Sequence, residues 1–201
     1  MEFFKYSGLG NDFILMDNRK NNIEMNGELA KEMCNRYFGI GADGLVLATA
    51  SHNYHIRMDI FNSDGSRAEM CGNASRCFAK FLYEKGIVRK KRIEIETLAG
   101  RIVPELKLED GIVKSVKVDM GKPLLRSRDI PFSESLDQVI NYPIIVDGLE
   151  YRVTSMFMGV PHTVIFGDNI DDDYVIRIGR KIEESRYFPR KTNVNFVSLI
   201  D

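Results

Sequence analysis

Five apolar side chains, Ala74, Cys77, Phe78, Phe81 and Leu82, recur at helical spacing in a run bounded by Gly72 and Gly86, and this stretch limits the fold more than any other. The spacing predicts a helix from about Asn73 to Lys85, stopped at Gly86 because glycine accepts the left-handed conformation that ends a helix. A stripe that wide needs a large apolar surface to cover it, and the strand-like sequence on both sides offers a sheet. A turn over Asn62-Ser-Asp-Gly-Ser66 and a short extended piece come first, which leaves Cys71 just ahead of the first helical turn. Unpaired backbone N–H groups and the positive end of the helix dipole meet there, a setting that favours an anion and suits a reactive thiol. A small buried cysteine is the competing reading. Gly72 and Asn73 favour the reactive one, since the first lets the backbone approach a ligand and the second can cap the helix or grip a carboxylate.

On the N-terminal side, strands are expected at Glu2 to Tyr6 and Asp12 to Asp17, joined by Ser7-Gly8-Leu9-Gly10-Asn11. That loop lacks the third glycine and the following helix of a dinucleotide site. Asn26 is expected to cap a helix reaching about Phe38, with Leu29, Met33 and Tyr37 on one stripe and Cys34 in the core. Further strands are expected at Leu45 to Ala48, Tyr54 to Phe61, Arg92 to Thr97, Gly100 to Leu108 and Ile112 to Met120, the last two joined by the turn Glu109-Asp110-Gly111. The proline-containing segment Gly121 to Pro131 marks a boundary near residue 120, with an N-terminal lobe over 1–120 and the first part of a C-terminal lobe over 121–201. Strands at Tyr142 to Val146, Tyr151 to Ser155 and Thr163 to Phe166 then precede a helix from about Asp171 to Ser185 and a strand from Asn193 to Leu199. This order repeats that of the first lobe and ends before any counterpart of the Cys71 stretch.

A formal net charge of -1 gives no electrostatic reason to expect nucleic acid or an anionic membrane as partner, and the basic run Lys85 to Arg92 reads as a solvated connection. With no leader-like start and no apolar run of spanning length, the expected location is the cytoplasm. Three cysteines, an odd number, agree with a reducing compartment. Cys34, Cys71, Cys77, His52, His55 and His162 show no ligand-pair spacing, so no metal site is expected.

Six short motifs in one order then carry a resemblance. They are Gly8-Leu-Gly-Asn11-Asp12-Phe13, Gly39-Ile-Gly-Ala-Asp43, Phe61-Asn62-Ser-Asp-Gly65-Ser66, Cys71-Gly72-Asn73 with Arg76-Cys77, Met158-Gly-Val-Pro-His162 and Thr192-Asn193-Val-Asn195-Phe196. The chain resembles the diaminopimelate epimerases, cofactor-independent amino-acid epimerases, from Lys5 onward. The resemblance implies an α+β fold of two pseudo-symmetric lobes, each a curled, mostly antiparallel sheet around a central helix, with the active site in the cleft between them. It places Cys71 as one of two acid/base cysteines, Asn11, Asn62, Gly72, Asn73 and Asn193 as substrate-binding residues, and His162 beside the site. It also implies a small-molecule amino-acid substrate and a homodimer. Two positions depart from the family pattern, Gly44 where some members have glutamine and Val160 where many have asparagine. The family's Glu-Arg pair and second cysteine motif would follow Asp201, so the second lobe is expected to be truncated and the chain as it stands inactive or nearly so.

The chemistry is consistent with that likeness. Removing an α-proton from an amino acid leaves a carbanion that needs either an electron-sink cofactor or fixed donors around the carboxylate, and no cradle for pyridoxal phosphate stands out. Inversion then calls for an acid/base group on each face. Cys77, on the apolar stripe, is read as core. Taken singly, Asn11, Asn62 and Asn73 could be turn or cap residues and His162 a loop histidine. The leading expectation is conversion of LL-2,6-diaminopimelate to the meso form, for lysine and peptidoglycan synthesis; a histidine- or proline-type relative and a non-catalytic substrate-binding remnant are the alternatives.

Overall fold

Two apolar runs without polar alternation, Phe13-Ile-Leu-Met16 and Leu45-Val-Leu-Ala48, become adjacent parallel strands buried on both faces, as runs of that kind require. They belong to the first of two units, Met1–Asp119 and Met120–Asp201, of a computed structural model that describes residues 1–24, 26–168 and 170–199. In chain order the first unit holds β1 (Phe4–Gly8), β2 (Asn11–Asp17), α1 (Gly27–Cys34), β3 (Gly44–Thr49), β4 (Ile56–Asn62) and β5 (Arg67–Ala68). It continues with α2 (Gly72–Glu84), β6 (Ile95–Thr97), β7 (Gly100–Ile102), β8 (Glu105–Glu109) and β9 (Ile112–Lys117). One sheet runs β1-β2-β3-β4-β6-β7 with β5 paired to β4 off that path, and β8 and β9 form a separate hairpin. Pairing is antiparallel except for β2 with β3 and β4 with β6. Those are the two places where a helix carries the chain across, α1 in the first and α2 in the second.

The helices divide the faces of β2 and β3 between them. Ile14, Met16, Leu45 and Leu47 meet Ala30 and Cys34 of α1. Phe13, Leu15, Val46 and Ala48 meet Ala74, Phe78, Phe81 and Leu82 of α2. The β8–β9 hairpin adds Leu106 and Val113 to this second core, and Lys80 Nζ donates to the Val113 carbonyl at 3.2 Å.

The second unit holds β10 (Tyr142–Val146), β11 (Leu149–Phe157), β12 (Pro161–Phe166), α3 (Asp172–Glu183) and β13 (Asn193–Val197). Its sheet order is β10-β11-β12-β13, antiparallel except for the β12–β13 pair that α3 connects. Ile178 and Ile182, one turn apart on α3, are buried in a core with Phe132, Ile144, Val153 and Ile165. Each unit is thus α+β, a mostly antiparallel sheet packed on helix.

Three sequence expectations differ from the structure. The first strand runs Phe4–Gly8 rather than Glu2 to Tyr6, and the loop expected over Ser7 to Asn11 narrows to Leu9-Gly10, because Ser7 and Gly8 pair with Asp12 and Asn11. α1 stops at Cys34 and does not reach Phe38, because Asn35 turns extended (φ -61°, ψ 122°) and its Oδ1 accepts the N–H groups of Tyr37 at 2.8 Å and Phe38 at 2.9 Å. Tyr37 is therefore off the stripe and 91% exposed. The single strand expected from Gly100 to Leu108 divides into β7 and β8 around Val103-Pro104, since proline has no N–H to give to a ladder. The hairpins at Asp110-Gly111 and Asp147-Gly148 form as expected, all four residues at positive φ as a tight two-residue turn demands.

Phe78→Ala should destabilise the first unit by about 3–5 kcal/mol, since that ring is fully enclosed. Ile176→Ala, on the open flank of α3, should change stability by less than about 0.5 kcal/mol. Urea unfolding of both variants checks the contrast.

Candidate functional site

Cys71 is the N-cap residue of α2, at φ -145° and ψ 119°. Its carbonyl accepts the Ser75 N–H at 2.9 Å and the Ser75 hydroxyl at 2.8 Å, while its Sγ accepts the Ala74 N–H at 3.5 Å. Sulfur is a weaker acceptor than the oxygens that usually cap a helix, so this position gives up capping energy and gains a thiol at the positive helix end. Positions 71, 74, 78 and 81 share one stripe, so the Cys71 side chain packs partly on the core and remains half-buried at its end. Cys34 and Cys77 are buried; burial pushes the Cys77 thiol up and the Cys34 thiol up to about 11. Gly72 and Asn73 form the first turn, and their N–H groups have no partner among the described residues.

The β1–β2 turn comes close against this helix end. A Cβ built on Gly8 would lie 3.0 Å from Cys77 Sγ. This approach lets Asn73 Nδ2 donate to Asn11 Oδ1 at 2.7 Å, and Asn11 Nδ2 in turn donates to Asp43 Oδ2 at 3.0 Å. Arg36 bridges Asp12 at 2.7 Å and Asp43 at 2.8 Å, and Lys5 pairs with Asp12 at 3.0 Å. The Arg36 guanidinium, with Lys5 beside it, holds the Asp12 carboxyl well below the usual carboxylate range. Asn62 closes β4 in register with Gly44 and donates to Ser66 Oγ at 2.9 Å; the N–H of the next residue, Ser63, donates to the Asp43 carbonyl at 3.1 Å. Asn11, Gly72 and Asn73 thus gather with Cys71, and Asn62 is tied to the same cluster through the Asp43 loop. Sequence reasoning gave Arg36, Asp43 and Arg76 no role. The available signal was a carboxylate in a glycine-flanked loop.

In the second unit, His162 and Asn193 are register partners on β12 and β13. Asn193 Nδ2 donates to the Pro161 carbonyl at 3.0 Å, and Asn195 Nδ2 faces His162 Nδ1 at 3.4 Å. Both line an open cleft of about 740 Å³ that also takes in Gly179, Arg180 and Thr192. Burial lowers the affinity of the His162 imidazole for a proton. Gly44 is buried where a Cβ would sit 2.9 Å from the Phe61 carbonyl oxygen, so β3 runs too close to β4 for a larger side chain without a shift. Among the described residues no three His, Cys, Asp or Glu are grouped as metal ligands would be, and no helix is long and apolar enough to cross a membrane.

The family model described as diaminopimelate epimerase matches residues 3–125. A diaminopimelate epimerase of Caldanaerobacter subterraneus is 50% identical over 201 residues, covering 100% of this chain and 73% of the relative. One of Pelotomaculum thermopropionicum is 49% identical over 202 residues, covering 100% of this chain and 72% of the relative. Among solved structures, a probable proline racemase from Agrobacterium radiobacter matches with TM-score 0.60 at 16% identity, over 90% of this chain and 54% of that one. A Bacillus anthracis phenazine biosynthesis protein of the PhzF family matches with TM-score 0.57 at 19% identity, over 83% of this chain and 56% of that one. At such identities the structural likeness speaks for the fold alone.

Iodoacetamide should alkylate Cys71 in the folded chain well before Cys34 and Cys77, with the difference lost in urea; peptide mass spectrometry reads the order. The His162 ring should titrate below its ordinary 6.5 by NMR. Because the unfolded ring takes its proton first as pH falls, the His162 contribution to stability should decline as pH drops through about 6.5.

Proposed function

The chain belongs to the diaminopimelate epimerase family of isomerases, and from that premise we propose that it acts on the α-carbon of LL-2,6-diaminopimelate, giving the meso form, with Cys71 as acid/base on one face. The observation that carries the reading is the thiol at the start of α2, half-open and in hydrogen-bond contact with the first turn. An α-proton leaves only if the charge left behind is stabilised as it forms. The N–H groups of Gly72 and Asn73 and the side-chain amides of Asn11, Asn62 and Asn73 supply donors for a carboxylate, and the helix end favours negative charge both there and on the sulfur. The thiolate takes the proton and the thiol returns it, chemistry that protein groups carry by themselves.

Of the chain's three cysteines, Cys34 and Cys77 are closed in separate cores, so the half-reaction assigned to its own thiols is exchange on one face. Asn193 and His162 keep the binding and assisting roles that the family likeness gives them. The reading carries with it a cytoplasmic location and a homodimer. Relatives named for the diaminopimelate reaction at 49–50% identity favour that substrate over proline, for which only the fold speaks.

In deuterated water the chain should place deuterium at the α-carbon of diaminopimelate, and Cys71→Ser should abolish this. The serine caps a helix at least as well as the thiol, so the same variant should keep its stability within about 1 kcal/mol of the parent. Diaminopimelate in excess should also slow alkylation of Cys71. Exchange that survives in the variant, or a parent chain that neither exchanges nor is protected, would overturn the proposal.

A further inference from the structure

Asn11 and Asn73 sit in a hydrogen-bonded chain whose direction is imposed from both ends. Arg76 donates to Asn73 Oδ1, Asn73 Nδ2 donates to Asn11 Oδ1 at 2.7 Å, and Asn11 Nδ2 donates to Asp43 Oδ2 at 3.0 Å. A guanidinium can only donate and an ionised carboxylate can only accept. Turning over either amide would set donor against donor or acceptor against acceptor in a half-buried place where a lost bond is costly.

Asp43 is held as firmly as it holds Asn11. The Asp12 N–H donates to the same Oδ2 at 3.1 Å, Arg36 donates to Oδ1 at 2.8 Å, and the Asp43 N–H donates back to the Asp12 carbonyl at 3.0 Å. Burial opposes its ionisation, but the bonds from Asn11, the Asp12 N–H and Arg36 outweigh it and keep the carboxyl below its ordinary range.

We infer that Asp43 is a positioning residue for the site at the start of α2: it fixes the orientation of the Asn11 amide directly and, with Arg76 at the other end, that of Asn73, so that each keeps one Nδ2–H to give to a ligand. Asp43 itself need not touch the ligand. The diaminopimelate reading enters only in naming that ligand, because the orientation is a property of the free protein.

Asp43→Asn keeps the shape of the side chain but removes the one-way end of the relay, since an amide can donate as well as accept. Asp12→Asn is the control: it weakens the same Arg36 cluster and the Lys5 pair while the amide chain bypasses its side chain. In nitrogen-15 spectra of the ligand-free chain, the side-chain amide pairs of Asn11 and Asn73, assigned by single substitution, should be shifted and slow to exchange. The Asn11 pair should collapse toward the exposed Asn53 pair in Asp43→Asn, the Asn73 pair, still held by Arg76, should move less, and both should persist in Asp12→Asn. An Asn11 pair unchanged in Asp43→Asn, or equally disturbed in Asp12→Asn, would overturn the inference. Affinity for diaminopimelate should fall about ten-fold in Asp43→Asn, the scale of one or two lost hydrogen bonds, and less than about two-fold in Asp12→Asn. Affinity equal to the parent in Asp43→Asn would likewise overturn it. A parent chain that does not bind diaminopimelate would count against the substrate reading alone, with the amide spectra still deciding the relay.

Discussion

The burial of α2 is the constraint on which the first unit depends. Phe78 and Phe81 are wholly enclosed, and between them they fix both the axis of the helix and its rotation about that axis. Once those rings are seated, Ala74 lies on the sheet and Cys71, three residues earlier on the same stripe, falls at the edge of the core. The half-exposure of the thiol is thus a consequence of where the stripe runs out. Gly8 belongs to the same constraint, because a Cβ there would crowd Cys77 Sγ at 3.0 Å, where β1 and its turn seat against the helix end and Asn73 reaches Asn11.

A shared device recurs in the two units. In the first, β2 and β3 run parallel, joined by α1, and the residues at their starts, Asn11, Asp12 and Asp43, face one another through hydrogen bonds. In the second, β12 and β13 run parallel, joined by α3, and His162 and Asn193 stand opposite each other near the start of the pair. Parallel strands joined by a helix begin at the same end, so the side chains just inside that end converge from segments some thirty residues apart, as the separation of 32 between Asn11 and Asp43 shows.

Local chemistry explains which features were readable in the sequence. The stripe of α2, its stop at Gly86 and the turns at Asp110-Gly111 and Asp147-Gly148 each depend on residues within one element, and each forms as the residue types dictate. The end of α1 misled because Tyr37 matches the helical period by spacing alone; Asn35 offers the backbone a competing bond two residues on, and that bond wins. The break at Pro104 was visible in the residue but outweighed by the apolar content around it. The role of Asp43 was hidden for a different reason: its partners Asn11 and Asp12 lie far away in sequence, and the next link, from Asn11 to Asn73, spans 62 residues. Composition and periodicity record nothing at that range.

The ion pairs beside the site are better understood by position than by stability. Arg36 is 53% exposed, and solvent screening leaves pairs of that kind little weight in stability. What they change is the field at the helix end. Asp12 and Asp43 would by themselves repel an anion and oppose the dipole of α2; Arg36 and Lys5 neutralise the two carboxylates where they stand. The carboxylate of Asp43 remains available as an acceptor for Asn11 without its charge being presented to a ligand. Arg76, at the opposite end of the amide chain, adds positive charge on the first turns of the helix itself. The acceptor that orients Asn11 is thereby combined with neutralised carboxylates, whereas two unpaired aspartates would set negative charge beside the helix end.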